Sequence, residues 1–136
     1  MRFAQICDDV AVNESAAPME TTGMCGIWVN TNPDTNGITR MVISEGEGQV
    51  SLQAFAVGPD GLIDWGVTPL QLFAATPVSR QSAGFSGTYD FGFVEIQLDA
   101  MIMKGLIVLG QIHRFKDDSR RADFFVREYF ALAHGR

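Results

Sequence analysis

From residue 26 onward, apolar and polar residues alternate in short runs separated by residues typical of tight turns. The clearest run is residues 94–99, in which three apolar side chains alternate with three polar ones. Residues 49–56 follow the same pattern more weakly, until Phe55 interrupts it. Successive side chains of a strand point to opposite faces, so a period of two predicts half-buried β-strands.

Eight such runs predict eight strands, at residues 27–30, 37–44, 49–57, 70–76, 84–91, 92–99, 106–115 and 122–130. The connections between them are short and rich in Gly, Pro, Asn and Asp, which favour tight turns. Short connections favour antiparallel pairing of neighbours, because a parallel pair needs a long crossover. We therefore predict an all-β fold, an eight-stranded antiparallel up-and-down barrel, with a two-sheet sandwich as the alternative. An eight-stranded barrel can hold one small ligand inside.

The N-terminal residues lack this alternation. We predict an arm at residues 1–25 and one barrel domain at residues 26–136, since a chain of this length supports a single core. The arm is either irregular and flexible or contains a short helix, because apolar residues recur at helical spacing at Phe3, Ile6, Cys7 and Val10. Cys7 and Cys25 either stay reduced or join the arm to the first strand.

The net charge of -6 argues against polyanionic partners. Nucleic-acid binding draws most of its affinity from Lys and Arg that neutralise phosphates, so neither DNA, RNA nor an anionic membrane surface is expected to bind. Membrane insertion is not expected either, since no apolar run reaches the length of about 18 residues that a spanning helix needs. The first residues do not form the apolar segment of a secretory signal, so we expect a cytoplasmic location.

Motifs for metals, cofactors and nucleophilic catalysis are missing from the sequence. Neither histidine has a second ligand at a recognised metal spacing. There is no Gly-x-Ser-x-Gly elbow, no phosphate-binding loop and no dinucleotide fingerprint. We therefore predict a protein without a metal or a cofactor.

The run Gly26-Ile27-Trp28-Val29-Asn30 resembles the Gly-x-Trp start of the calycin superfamily, which includes lipocalins, fatty-acid-binding proteins and avidins. In calycins this tryptophan packs at the closed end of the barrel, beneath a basic residue from near the last strand. The resemblance implies that Trp28 packs against Arg127. In avidins the asparagine of this run helps to hold the ligand, which implies that Asn30 faces one. The chain has only one further tryptophan, which argues against biotin.

Several residues could line a barrel interior. Trp65, next to Gly66, either stacks on a ligand at the barrel mouth or closes a hairpin. The aromatic and glycine-rich run at residues 84–93 forms either a pocket wall or a curved part of the barrel filled by rings. The predicted ligand-binding residues are Trp28, Asn30, Trp65, Tyr89, Phe91, Gln111 and Arg127.

Three residues are candidates for catalysis: His113, Arg40 and Tyr89. His113 could act as a general base if its ring faces the interior, with Gln111 on the same face; otherwise it is an ordinary strand histidine. Arg40 could bind a carboxylate or an enolate if it points inward, and is an ordinary solvent-facing arginine if it points outward. Tyr89 could donate a hydrogen bond.

Two functions use the same interior. The first is the binding of a small, largely apolar molecule. The alternative is a cofactor-independent cyclase or isomerase of a natural-product pathway, which would fold and polarise its substrate without a nucleophile. Apolar residues on both faces of residues 106–109 and 122–126 also suggest a homodimer, which is compatible with either function.

Overall fold

A computed structural model describes residues 19–21 and 23–133, and the helix considered for residues 3–12 and the position of Cys7 lie outside this part. Cys25 is exposed. Nine strands are numbered here in chain order: β1 (Gly26–Asn30), β2 (Ile38–Gly46), β3 (Gln49–Gly58), β4 (Gly61–Pro69), β5 (Gln71–Ala74), β6 (Ser82–Asp90), β7 (Val94–Met103), β8 (Leu106–Phe115) and β9 (Phe124–Leu132).

The nine strands form one antiparallel sheet in the order β4-β3-β2-β1-β9-β8-β7-β6-β5. The prediction of an all-β, antiparallel, up-and-down arrangement is confirmed. β4 and β5 stand at opposite ends of this order, yet only Leu70 separates them along the chain. Since β4 pairs with β3 and β5 pairs with β6, the sheet curls into a half-barrel whose two end strands follow each other in the chain.

The strand that the sequence did not predict is β4. Its apolar side chains Leu62, Ile63 and Val67 are exposed, and its pairing with β3 shifts register between Gln53 and Phe55. This irregularity removes the alternation by which the other strands are recognised. The number of strands is nine rather than eight for this reason.

Two hairpins turn through glycine-containing connections that lie between predicted strands. Glu47 and Gly48 join β2 to β3, and Lys104 and Gly105 join β7 to β8. All four residues have positive φ angles, of 54°, 78°, 53° and 79°. This left-handed pair of residues is the type I′ geometry, whose twist matches that of the flanking strands.

The inner face of the sheet carries the hydrophobic core. Along β3, the residues at alternate positions are all buried: Val50, Leu52, Ala54 and Ala56. Phe55, which seemed to break the pattern, belongs to the outer face. In β7, Val94, Ile96 and Leu98 are buried while Glu95, Gln97 and Asp99 lie on the other face. The period of two therefore assigned the faces of these strands correctly.

One end of the half-barrel is closed by the chain that leads into β1. Glu20 bonds to the backbone of residues 80 and 82, and the hydroxyl of Thr21 donates to Glu45 at 2.9 Å, so this segment crosses from β6 to β2. Met24 is fully buried, and its carbonyl accepts a hydrogen bond of 2.9 Å from the indole of Trp28. We call this the closed end; the end formed by the β1–β2 loop, residues 31–37, is the open end.

Candidate functional site

A cavity of about 420 Å³ lies at the open end. The inner faces of β8 and β9 and the β1–β2 loop supply much of its lining, and Trp65 of β4 lies across from them. The register of β8 and β9 places His113 beside Phe124 and Gln111 beside Val126. The side chains that define its chemistry are Trp65, Gln111, His113, Phe124, Val126 and Glu128.

A chain of hydrogen bonds runs through the polar side chains of this cavity. Thr35 Oγ1 donates to Glu128 Oε2 at 2.5 Å, and Gln111 Nε2 donates to Glu128 Oε1 at 3.3 Å. The other end of the Gln111 amide, Oε1, lies 3.3 Å from His113 Nε2. Gln111 is only 1% exposed. A buried amide needs such partners, because an unpaired polar group is costly away from water.

The imidazole of His113 is held by two kinds of contact. Its ring stacks on Phe124 with centroids 4.2 Å apart and an angle of 14° between the planes, while Nε2 faces Gln111. Burial lowers the pKa of His113 below its ordinary value of 6.5, because desolvation disfavours the charged form. The ring is therefore neutral at neutral pH. Among the described residues, Nδ1 has no hydrogen-bond partner.

Three aromatic rings pack together on the side of β4 and β6, and of these only Trp65 lines the cavity; the predicted ligand-binding residues Tyr89 and Phe91 lie behind it. Trp65 meets Tyr89 and Phe91 edge to face, with centroids 5.4 Å apart in both pairs, and Tyr89 stacks on Phe91 at 5.6 Å. Such geometries are favourable because the positive edge of one ring faces the negative face of another. The cluster fixes the orientation of Trp65 at the cavity.

The hydroxyl of Tyr89 links β6 to β3 and β4 beside this aromatic cluster. It accepts a hydrogen bond from the amide of Ala54 at 3.1 Å and lies 2.8 Å from the carbonyl of Gly66. Both backbone groups belong to the bulged part of the β3–β4 ladder, where the regular pairing is interrupted. Burial raises the pKa of Tyr89 to about 12. Tyr89 therefore stabilises the curl of the sheet as a neutral phenol.

Arg40 does not join His113 and Tyr89. It is exposed on the outer face of β2, where its guanidinium lies 4.6 Å from the centre of the Phe55 ring. The pairing of β2 with β3 shifts register between Ile38 and Arg40. Arg40 therefore pairs with Phe55, and the side chains of both residues lie on the outer face of the sheet. Of the three predicted catalytic residues, only His113 lines the cavity, so the arrangement that would unite them is wrong.

Trp28 and Asn30 face the interior but take part in structural bonds. Trp28 is 2% exposed and bonds to Met24 at the closed end. The Asn30 amide donates to the carbonyl of Ile38 at 2.9 Å, and its oxygen accepts from the amide of Asn32 at 2.8 Å. Both ends of this side chain thus shape the β1–β2 loop.

The packing of Arg127 on Trp28, implied by the calycin resemblance, is wrong. Trp28 pairs with Leu132 of β9, and Arg127 is an odd number of positions away, so it lies on the opposite face. It is exposed in a groove of about 600 Å³ on the outside of the sheet, together with Phe73, Met101 and Phe125. The homodimer that such apolar residues suggested stays a prediction.

Thr35, Phe124 and Glu128 belong to the site but were not among the predicted residues. The signal for two of them was available, because alternation along residues 122–130 places Phe124, Val126, Glu128 and Phe130 on one face. A lone acid among apolar residues on that face indicates a buried carboxylate with a partner. Thr35 comes from a loop, where no periodicity applies.

No group of three or more His, Cys, Asp or Glu side chains that could hold a metal ion occurs among residues 19–21 and 23–133. In the same part of the chain, no helix has the length and apolar character needed to cross a bilayer. No protein-family model, no curated protein and no solved structure matches this chain.

Proposed function

We propose that this protein binds one small, largely apolar molecule in the cavity at the open end. The observation that carries the proposal is the combination of apolar walls with a single chain of buried and partly buried, hydrogen-bonded polar groups. Ligand sites in proteins commonly have this composition: aromatic and aliphatic walls provide affinity, and a few placed polar groups orient the ligand.

The size and the walls of the cavity suit such a molecule. Its volume of about 420 Å³ falls in the range of roughly 300–1,000 Å³ typical of small-molecule sites. Trp65, Phe124 and Val126 offer apolar surface from β4 and β9. A planar ligand beside Trp65 would bury the indole further and gain ring contacts of the kind seen between Trp65 and Tyr89.

The polar groups support binding because a barrel interior does not need them for folding. At the closed end, the inner positions of β8 and β9 are apolar, with Ile107, Leu109 and Phe130 fully buried. At the open end the corresponding positions are Gln111, His113 and Glu128. Burying these groups costs free energy that only hydrogen bonds offset. A function in recognition explains why they stand where Leu or Val would be more stabilising.

We also propose that the half-barrel is a calycin-like barrel. The first and last strands pair with each other, and Trp28 lies at the closed end. β4 and β5 follow each other in the chain and lie between β3 and β6, so they can be counted as one interrupted strand. Counted in this way, the sheet has the eight strands of such a barrel. Ligand sites commonly occur in the mouths of β-barrels, and this tendency supports the location of the site.

The proposal is tested with a neutral fluorescent probe, N-phenyl-1-naphthylamine, titrated into three proteins. We expect saturable enhancement at one probe per chain for the wild type and loss of binding in Val126→Trp, whose indole fills the cavity. The matched control is Val29→Trp on the outer face of β1, which should bind like the wild type. Native mass spectrometry of gently purified protein would identify any molecule carried from the cell.

Equal binding by the Val126→Trp and Val29→Trp proteins would place the probe elsewhere and contradict the proposal. So would the absence of both probe binding and any retained molecule. Far-ultraviolet circular dichroism of each variant confirms that the sheet has formed before binding is compared.

The same geometry supports a second candidate, a cofactor-independent isomerase or cyclase. His113 is neutral, oriented by Phe124 and Gln111, and has one ring nitrogen available, which are the properties of a general base. The test uses a molecule released from the purified protein. If the wild type converts this molecule into a product and the His113→Phe variant does not, the result would support this reaction. Recovery of the molecule unchanged from both proteins would exclude it for that molecule.

A further inference from the structure

We infer that the molecule bound at the open end is uncharged and donates a hydrogen bond to Nδ1 of His113. This inference rests on the proposed function and adds the chemical class of the ligand: a planar phenol, enol or N–H heterocycle. The argument uses the direction of each hydrogen bond in the cavity and the charges of the lining residues.

The first step is the direction of the hydrogen bonds. The carboxylate of Glu128 can only accept, so Thr35 donates its hydroxyl proton and Gln111 donates from its NH₂ group. The Gln111 carbonyl oxygen then faces His113. Because this oxygen can only accept, Nε2 of His113 carries the proton. In a neutral imidazole the other nitrogen, Nδ1, is then an acceptor.

The second step is that this acceptor is left over. The protein provides a partner for both oxygens of Glu128, for both ends of the Gln111 side chain and for Nε2 of His113. Among the described residues it provides none for Nδ1. A ligand that donates a hydrogen bond completes the set, whereas a ligand with only acceptors leaves Nδ1 without a partner when water is displaced.

The third step concerns charge. The described lining of the cavity includes two carboxylates, Asp34 and Glu128, and neither lysine nor arginine. An anion would enter a negative, partly dehydrated site without a cation to pair with it, which is unfavourable. A cation would lose hydration in a cavity with apolar walls, and the hydrogen bonds that Thr35 and Gln111 donate to Glu128 already offset part of the charge of that carboxylate. An uncharged ligand avoids both costs.

The fourth step concerns shape. The lone pair of Nδ1 lies in the plane of the imidazole, and Phe124 covers one face of the ring at a centroid distance of 4.2 Å. A ligand that donates to Nδ1 therefore approaches in the plane of the ring. Trp65 is held in place across the cavity by its contacts with Tyr89 and Phe91. A flat molecule can therefore lie against the indole while its edge points at the imidazole.

The test is a series of four naphthalenes that share one ring system. At pH 7.5, isothermal titration calorimetry compares 2-naphthol, 2-methoxynaphthalene, 2-naphthoate and 2-naphthylmethylammonium. We expect 2-naphthol to bind about fivefold more tightly than 2-methoxynaphthalene, the effect of one neutral hydrogen bond. Both should bind at least about tenfold more tightly than either ion.

Two variants assign the preferences to their causes. His113→Phe keeps a ring on Phe124 but has no acceptor, so 2-naphthol and 2-methoxynaphthalene should bind equally. Glu128→Gln removes the charge of this partly buried carboxylate and should improve binding of 2-naphthoate relative to 2-naphthol. Asp99→Asn, on the outer face of β7, removes the same charge from the whole protein without touching the cavity. It should leave all four affinities unchanged.

The outcomes separate this inference from the proposed function. If none of the four compounds binds and N-phenyl-1-naphthylamine does not bind either, the proposed function fails. If the uncharged compounds bind but show no preference for 2-naphthol, or if an ion binds most tightly, the ligand class is wrong while the binding function stands. A preference that persists in His113→Phe would also overturn the assignment of Nδ1.

Discussion

The two ends of the half-barrel are built from the same strands but from different chemistry. On the inner face of β8, Ile107 and Leu109 near the closed end are fully buried, whereas Gln111 and His113 follow toward the open end. β9 runs the other way and changes from Glu128 to Phe130 over two residues. The comparison teaches that one strand can supply an apolar core at one end and, under the proposed function, recognition at the other.

The difference has an energetic consequence. Apolar side chains at the closed end contribute free energy in proportion to the area they remove from water. The open end buries an amide completely and a carboxylate and an imidazole in part, and their hydrogen bonds offset desolvation with little net gain. We therefore expect the stability of the protein to depend mainly on the closed end, and binding mainly on the open end.

The largest predicted effect compares the two tryptophans. Trp28→Ala leaves a cavity in the buried closed end and should lower the free energy of unfolding by about 3–5 kcal/mol. The same truncation of half-buried Trp65 should lower it by about 1–2 kcal/mol but weaken N-phenyl-1-naphthylamine binding roughly tenfold. Urea unfolding followed by circular dichroism measures the first quantity, and fluorescence titration measures the second.

Equal destabilisation by the two truncations would contradict the proposed difference between the two ends, because the open end would then contribute as much to the stability of the core as the closed end. An unchanged probe affinity in Trp65→Ala would also contradict it. The two alanine variants serve as controls for each other, since the same atoms are removed at both ends.

The next effect concerns Tyr89, whose hydroxyl connects β6 to β3 and β4. Tyr89→Phe removes the hydroxyl that bonds to Ala54 and Gly66 and should cost about 1–3 kcal/mol, because the backbone groups lose a buried partner. Tyr129→Phe makes the same change at an exposed position of β9 and should cost less than about 0.5 kcal/mol. Equal urea midpoints for the two variants would contradict the role given to Tyr89.

The smallest predicted effect is a pH dependence of stability at the open end. Burial lowers the pKa of His113 in the folded protein, so the unfolded chain binds more protons below pH 6.5. The free energy of unfolding should therefore fall as the pH drops from 7.5 to 5. His113→Phe should be less sensitive to pH in this range, and paired urea titrations at both pH values measure the difference.

The pH window isolates the histidine from the carboxyl groups. Hydrogen bonds lower the pKa values of Asp64, Asp90 and Asp117 below their ordinary value of 3.8. Their contributions are lost only in more acidic solution, as the pH falls through the folded pKa values. An unchanged pH dependence in His113→Phe would show that the imidazole is equally solvated in the folded and unfolded chain, which contradicts its burial.

Sequence patterns predicted much of the fold and part of the site. Alternation placed Gln111 and His113 on one face of β8, and the connection predicted between residues 99 and 106 contains Lys104 and Gly105, which form the hairpin before β8. Arg40 shows the limit: its neighbours in the sequence are apolar on both sides, so both faces were plausible, and only the pairing with Phe55 places it outside. β4 was missed because its exposed apolar residues and its bulge obscure the period of two.

The sequence by itself determined eight of the nine strands and the two sets of side chains on the strands that alternate, because alternation along a strand follows from backbone geometry. Tertiary structure decided which set faces the interior where the pattern left both faces open, as at Arg40, and it decided which side chains meet there. Thr35, Gln111 and Glu128 are distant in the chain and come together only because β1 pairs with β9 and β9 pairs with β8. Contacts across strands depend on register and curl, and no local pattern contains that information.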